Sequence, residues 1–370
     1  MSKHSGWLPA ATLLLILTLL IAARVAARVA PPTPTPSALA TSPAATSTAG
    51  SRADQMQPAS TDVALPTAGP VPTTSTTAIV ATPTPRPPGT PPRVGLQVGH
   101  LRSEELPEEL ARLRTSTGAR WGKVTEAELN LAIASRVKPL LEAAGIVVDL
   151  LPATVPPGYD ADAFIAIHAD GSNNPAARGW KLATPWRASA ASRALMAAVA
   201  AAYGAATDLP EDSGGVTFNM KGYYAFSYRR YQHAIARTTP AIIIEMGFMS
   251  NAADRGLLFG QPERVARGIA SGVLTYLRQR DPNDGAALLP PDYPVMRAGA
   301  TGALVRAAPR DDARILLRAG EGARIVPFDK LGEYYQAFVR AGDARVVGWV
   351  REDELIATDE QPVFPTPANP

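Results

Sequence analysis

Fifteen prolines fall in the 62 residues from Pro31 to Pro92, alongside only four charged residues: Arg52, Asp54, Asp62 and Arg86. The rest of that stretch is mostly Thr, Ser and Ala. Such a segment buries too little apolar surface to offset the entropy lost on ordering, and proline withdraws backbone donors from helices and sheets. Residues 28–92 are therefore expected to be a disordered or polyproline-like linker, which restricts folding to the 278 residues C-terminal to it. The chain has no cysteine, which excludes disulfide scaffolds, thiolate zinc fingers, iron–sulfur clusters and a cysteine nucleophile. Its net charge of +3 is too mild, and too evenly spread, to indicate nucleic-acid binding.

Ahead of the linker, Trp7 to Ala23 is a run without charge, preceded by Lys3 and followed by Arg24 and Arg28. It is short for a membrane span and slightly long for the apolar part of a signal peptide. Residues 1–27 are read as an N-terminal hydrophobic helix, either a signal-anchor or a cleaved signal peptide, and both versions export the rest of the chain. The protein is thus expected outside the membrane, anchored to it and facing the cell wall, or secreted if the leader is cut.

From Arg93 the pattern changes. RVGLQV (93–98), residues 146–151, 164–167 and 241–244 read as short apolar strands. Leu129, Ile133, Val137, Leu140 and Leu141 repeat at helical spacing behind Thr125, predicting a capped helix that ends near Gly145, with a kink at Pro139. Ala-rich residues 189–203 and residues 263–278 read as two further helices. The alternation predicts an α/β domain over 93–281, with a mostly parallel sheet flanked by helices.

Polar residues gather where such a sheet binds ligands. His100, His168 and Glu245 are each expected just past a strand, and Glu126 in the first turn of a helix. Two imidazoles and a carboxylate with one open position make a catalytic zinc set, and Glu245 is the candidate for moving protons. The remaining histidines are His4 in the leader and His233, which is read as packing or surface.

These residues lie in four recognisable stretches: VGH (98–100), EAELN (126–130), IAIHAD (165–170) and IEMGFMSN (244–251). In this order they resemble the motifs of zinc-dependent N-acetylmuramoyl-L-alanine amidases of the amidase 3 type. The resemblance implies hydrolysis of the amide between N-acetylmuramic acid and L-alanine in peptidoglycan. It implies Zn2+ held by His100, Glu126 and His168, with Glu245 as the catalytic glutamate. The family pattern places the ligand four residues before Asn130 and so selects Glu126. Glu128 is then a solvated helix carboxylate, Asp170 a loop or cap residue and Asn251 the cap of the turn leading onward. The chain departs from the family pattern in two places. The family usually has Asp-Pro-Gly-His-Gly-Gly at the first ligand, whereas this chain has QVGHLR (97–102). The usual Thr-Arg after the second strand is replaced by LPATVPP (151–157). Both fall on the substrate side.

After a linker at 282–294, short β runs at 303–307, 323–328, 335–340 and 346–350 suggest a small all-β barrel over 295–358, followed by a tail at 359–370. Leu304 to Pro309, Gly322 to Val326 and Gly348-Trp349-Val350 resemble the bacterial SH3-like domain. That resemblance implies wall binding, with Trp349 expected in the core and Tyr334 or Tyr335 along a groove. Two rival functions are weighed: a non-catalytic peptidoglycan-binding protein on the same fold, and a zinc carboxypeptidase. The second is disfavoured because His100-Leu-Arg-Ser103 lacks a glutamate at the spacing such enzymes use.

Overall fold

The computed structural model describes residues 87 and 89–360. The expected N-terminal helix, nearly all of the Pro-rich linker and the end of the tail lie outside the described residues. Among the described residues, no helix is long and apolar enough to cross a membrane.

The first sheet takes β1 (Arg93–Val98), β2 (Val147–Leu151), β3 (Ala163–Asp170), β4 (Lys181–Ala183) and β5 (Ala241–Phe248) in the order β2-β1-β3-β5-β4. All neighbours run parallel except β4, an antiparallel edge strand too short to announce itself in the sequence. Besides the single turn Phe218–Lys221, four longer helices accompany it among the described residues: α1 (Glu126–Glu142), α2 (Ala190–Thr207), α3 (Ala252–Leu258) and α4 (Pro262–Gln279).

Helix α1 starts where its chemistry directs. The Thr125 hydroxyl accepts from the Glu128 backbone N–H, and the Glu128 carboxylate accepts from the Thr125 N–H, forming a capping box. Glu128 stays exposed, as expected, and is occupied at the cap. Asn251, expected to cap a turn, instead caps helix α3 by accepting from the Ala253 and Asp254 N–H groups.

Strand alternation divides the core in two. Val94, Leu96, Val98, Ile165, Ile167, Ile242 and Ile244 face Leu129, Ile133, Val137, Leu195, Val199, Ile269 and Val273 of the three long helices. Each such side chain contributes ~2 kcal/mol on burial. Helices α2 and α4 meet closely at Gly272, where a Cβ would collide with the Val199 backbone. Phe164, Ala166, Ala241 and Ile243 face the other way, into a second core. Its cover is not helical layering but turns and 3-10 segments carrying Leu106, Leu110, Tyr224, Phe226 and Tyr231. The expectation of a sheet flanked by helices is therefore met with all three long helices on one face.

Two strands run further than their apolar runs indicate. β3 continues to Asp170 and β5 to Phe248, so His168 and Glu245 lie within strands rather than just past them. Backbone pairing runs on through both polar residues, with His168 opposite Glu245.

The C-terminal residues form a separate core from β6 (Met296–Ala298), β7 (Ala303–Arg306), β8 (Ile315–Ala319), β9 (Arg324–Leu331), β10 (Tyr334–Ala341), β11 (Ala344–Arg351) and β12 (Leu355–Ala357). They pair antiparallel in the order β8-β7-β11-β10-β9-β6-β12. Trp349 is not in that core. Val350 points inward at 0% exposure, so the two-residue period turns Trp349 outward, where it is half-buried. Tyr334 and Tyr335 are both buried, and the Tyr334 hydroxyl donates to Asp311.

Candidate metal and catalytic centre

The two-residue period that divides the core also sets the site. His168 shares a face with Phe164 and Ala166, and Glu245 shares it with Ala241 and Ile243. The two strands pair with His168 directly opposite Glu245. His100 follows β1, and Glu126 enters from the first turn of α1.

Ligand-capable atoms of His100, Glu126 and His168 all lie within 4.8 Å of one another. His168 Nδ1 donates to Glu126 Oε1 at 3.0 Å, and His100 Nε2 lies 3.5 Å from Glu126 Oε2. Glu126 is only 4% exposed, yet well served: the Ala119 N–H donates to Oε2 at 2.7 Å, and the Ala169 N–H and Asn130 Nδ2 donate to Oε1, both at 3.2 Å. Burial pushes its pKa up, but the His168 hydrogen bond, the charges of His168 and His100, and the Ala119 N–H together bring it down to about 2. His100 is shifted down, first by burial and then by repulsion from His168, against the pull of Glu126. Its Nδ1 donates to the Ser116 carbonyl at 2.8 Å, which leaves the Nε2 lone pair free towards Glu126.

The backbone is bent to achieve this. His100 has φ 62° and Arg102 φ 56°, both in the left-handed region. Gly118, at φ 72°, passes so close that a Cβ there would fall 2.7 Å from His100 Cδ2 and against the Glu126 carboxylate.

Glu245 is different. Its Oε2 is sealed from solvent and takes no hydrogen bond among the described residues. Burial first, then the charges of Asp170 and Glu126, drive its pKa well above the carboxylate range, with Lys181 opposing. Lys181 stands opposite Glu245 on β4, 5% exposed, with its Nζ 2.5 Å from Asp170 and 3.2 Å from Asp212. Asp170 is thus not a loop or cap residue; it ends β3 and neutralises a buried lysine.

Two lobes of a cleft meet at His100, His168 and Glu245. One, of about 520 Å³, is lined by Arg120, Asp170, Ser172 and Ser250 among others. The other, of about 310 Å³, runs past Leu106, Met220, Tyr223 and Tyr224. The Tyr223 hydroxyl lies 3.4 Å from His168 Nε2 and donates to Gln97 Oε1 at 2.8 Å. His233 is elsewhere, its Nδ1 2.7 Å from Glu109.

Every sequence-derived site residue is therefore present in one cluster: His100, Glu126, His168 and Glu245. Ser116, Gly118, Lys181 and Tyr223 carried no recognisable signal, because each acts through a fold-dependent contact with no motif of its own.

Residues 94–275 match the family model Amidase_3, N-acetylmuramoyl-L-alanine amidase. A comparison with curated proteins finds no match. Among solved structures, the chain is similar to the catalytic domain of CwlV, an N-acetylmuramoyl-L-alanine amidase from Bacillus (Paenibacillus) polymyxa var. colistinus. The identity is 23% over 51% of this chain and 99% of that one, with a TM-score of 0.36. It is also similar to the amidase AmiC2 of Nostoc punctiforme, at 21% identity over 50% and 97% of the two chains, with a TM-score of 0.36. The CwlD amidase from Clostridioides difficile, in complex with the GerS lipoprotein, matches at 19% identity over 51% and 100%, with a TM-score of 0.37.

Proposed function

We propose that the protein is a zinc-dependent hydrolase of the amide between N-acetylmuramic acid and L-alanine in peptidoglycan. The observation that carries this reading is the convergence of His100, Glu126 and His168 beside Glu245, within the segment that matches the Amidase_3 model. The donor set suits zinc: two imidazoles and one carboxylate, oriented by Ser116 and Asn130, with the cleft on the open side.

When bound, zinc supplies Lewis acidity to the scissile carbonyl and to the attacking water. Glu245 takes the proton of that water and later delivers it to the departing L-Ala amine. Its raised pKa suits a carboxyl that holds a proton between the two transfers, and its position opposite His168 keeps it beside the reacting carbonyl. Lys181 next to it limits how far that pKa rises. A substrate with an arm on each side of the scissile bond fits a cleft with two lobes meeting at the site.

In this reading the protein works outside the membrane, with residues 1–27 directing export and the linker giving reach to the wall. Residues 295–358 then serve as an SH3-like wall-binding module.

The test is metal analysis of the purified chain with activity measured before and after chelation. One zinc per chain, with activity lost on chelation and restored by added Zn2+, is expected. A fully folded, metal-free chain that still hydrolyses the amide would overturn the zinc assignment.

A further inference from the structure

The C-terminal sheet is not merely appended to the segment that matches the Amidase_3 model. Ile325, Ala337 and Val339 point into its own core, so alternation sends Phe328 and Phe338 to the opposite face. That face is covered by Trp186, from the segment between β4 and α2. The Trp186 ring centroid lies 4.7 Å from that of Phe328 and 4.5 Å from that of Phe338. It also meets Phe218 at 5.3 Å, and Phe218 in turn lies 6.0 Å from Phe338, so the three rings form one cluster. The Lys221 ammonium sits 5.1 Å from the Trp186 centroid.

Polar contacts fix the same junction. The Arg187 guanidinium, 6% exposed, donates to Asp292 Oδ1 at 3.0 Å and to the carbonyls of Tyr293 at 2.5 Å and Pro327 at 3.1 Å. Asp292 also takes Arg229 at 2.9 Å and lies 3.7 Å from Arg237. A guanidinium buried this deeply is tolerated only because its partners are held in place.

Phe218 and Lys221 belong to one helical turn, Phe218–Lys221, and their i,i+3 spacing puts them together on its outer side. Asn219 and Met220, between them, line the catalytic cleft, as do Thr217, Gly222, Tyr223 and Tyr224. A single turn of helix thus has the C-terminal sheet on one side and the cleft on the other. At its end stands Tyr223, whose hydroxyl reaches both His168 and Gln97.

We infer that the C-terminal sheet is a buttress for the catalytic cleft: Phe328 and Phe338, acting through Trp186 and Phe218, position the wall at 217–224 against which the substrate packs. This inference rests on the proposed amidase activity for its kinetic readout but not for its structural one. Phe338 is a positioning residue, since it touches none of the reacting groups. His100 directly follows β1, and Glu126, His168 and Glu245 are carried by α1, β3 and β5. Loosening the wall should therefore weaken substrate binding and leave the chemical step largely intact.

The experiment compares the full chain with Phe338→Ala, Phe338→Tyr and Val339→Ala, the last disturbing the sheet's own core without touching Trp186. Hydrogen exchange is measured over 217–224, and kcat and KM are measured on a soluble muropeptide too small to need wall anchoring. For Phe338→Ala the expectation is about tenfold faster exchange at 217–224, with α4 unchanged, and KM raised about tenfold with kcat within about twofold. Phe338→Tyr restores both, and Val339→Ala reproduces neither. Unchanged exchange at 217–224 in Phe338→Ala would overturn the inference, whether or not any chain hydrolyses the muropeptide. So would the same exchange pattern in Val339→Ala, or a KM defect confined to insoluble peptidoglycan, which would make the sheet a wall anchor alone. Absence of hydrolysis in every chain, with the exchange result as expected, would count against the amidase reading and leave the buttress standing.

Discussion

His168 and Glu245 stand directly opposite one another on adjacent parallel strands, with their side chains on the face turned away from the three long helices. Strand pairing therefore sets the spacing between a proposed metal ligand and the proposed proton carrier, and sheet hydrogen bonds hold it more rigidly than a loop would. The sealed, unbonded Oε2 of Glu245 is the kind of exception that a native core retains for chemistry.

Replacing Glu245 with Gln keeps the shape and removes the proton. Amide release should fall about 10²- to 10⁴-fold while zinc content stays at the wild-type level. Product release by chromatography, together with metal analysis of the same preparation, checks this. Full activity in Glu245→Gln would move the proton transfer to another group.

Gly118→Ala should damage the site without altering any ligand. The added Cβ meets the Glu126 carboxylate and lies 2.7 Å from His100 Cδ2, at a φ of 72° that alanine disfavours. Zinc affinity is expected to drop about 10- to 100-fold, as for other losses of support around a metal, and competition titration with a chromogenic chelator reads it.

Arg102 is exposed and held at φ 56°, two residues beyond His100, where the family pattern has a glycine. Arg102→Gly should therefore stabilise the fold by about 1 kcal/mol, relieving left-handed strain, with kcat unchanged. Thermal unfolding and steady-state kinetics test the two halves separately. A loss of activity would show that the arginine side chain itself serves the cleft.

Acid should destabilise the metal-free protein through Glu126. Its folded pKa of about 2 lies below the ordinary 4.5, so its contribution is complete above 4.5 and is lost as pH falls from there towards 2. The full difference corresponds to about 3 kcal/mol. Glu126→Gln should flatten the pH dependence of chelated protein in denaturant titrations over that interval; an unchanged slope would mean that other carboxylates dominate.

Much of the site is legible in the sequence because its residues lie in short stretches with local signatures: an apolar strand followed by Gly-His, and Thr125 three residues ahead of Glu128. The strand Arg93–Val98 and the start of α1 at Glu126 come directly from such local rules. The features that local rules miss are set by tertiary contact. Apolar runs end at Ile167 and Ile244, but the pairing continues through His168 and Glu245 because both face a polar cleft. The β4 edge strand is three residues long and exists only beside β5. Trp349 lies outside the core, although a large aromatic suggests the opposite, because the pleat, through Val350, decides the face. Ser116, Gly118 and Tyr223 matter only once the 3-10 segments fold over the sheet, which no periodicity encodes.

The central claim is tested most directly by mass spectrometry of purified peptidoglycan incubated with the full chain, with and without a chelator. New L-Ala amino termini on released stem peptides and peptide-free glycan strands, both lost on chelation, are the predicted result. Binding to peptidoglycan with no bond cleaved, or release of C-terminal stem residues in place of whole stems, would contradict it.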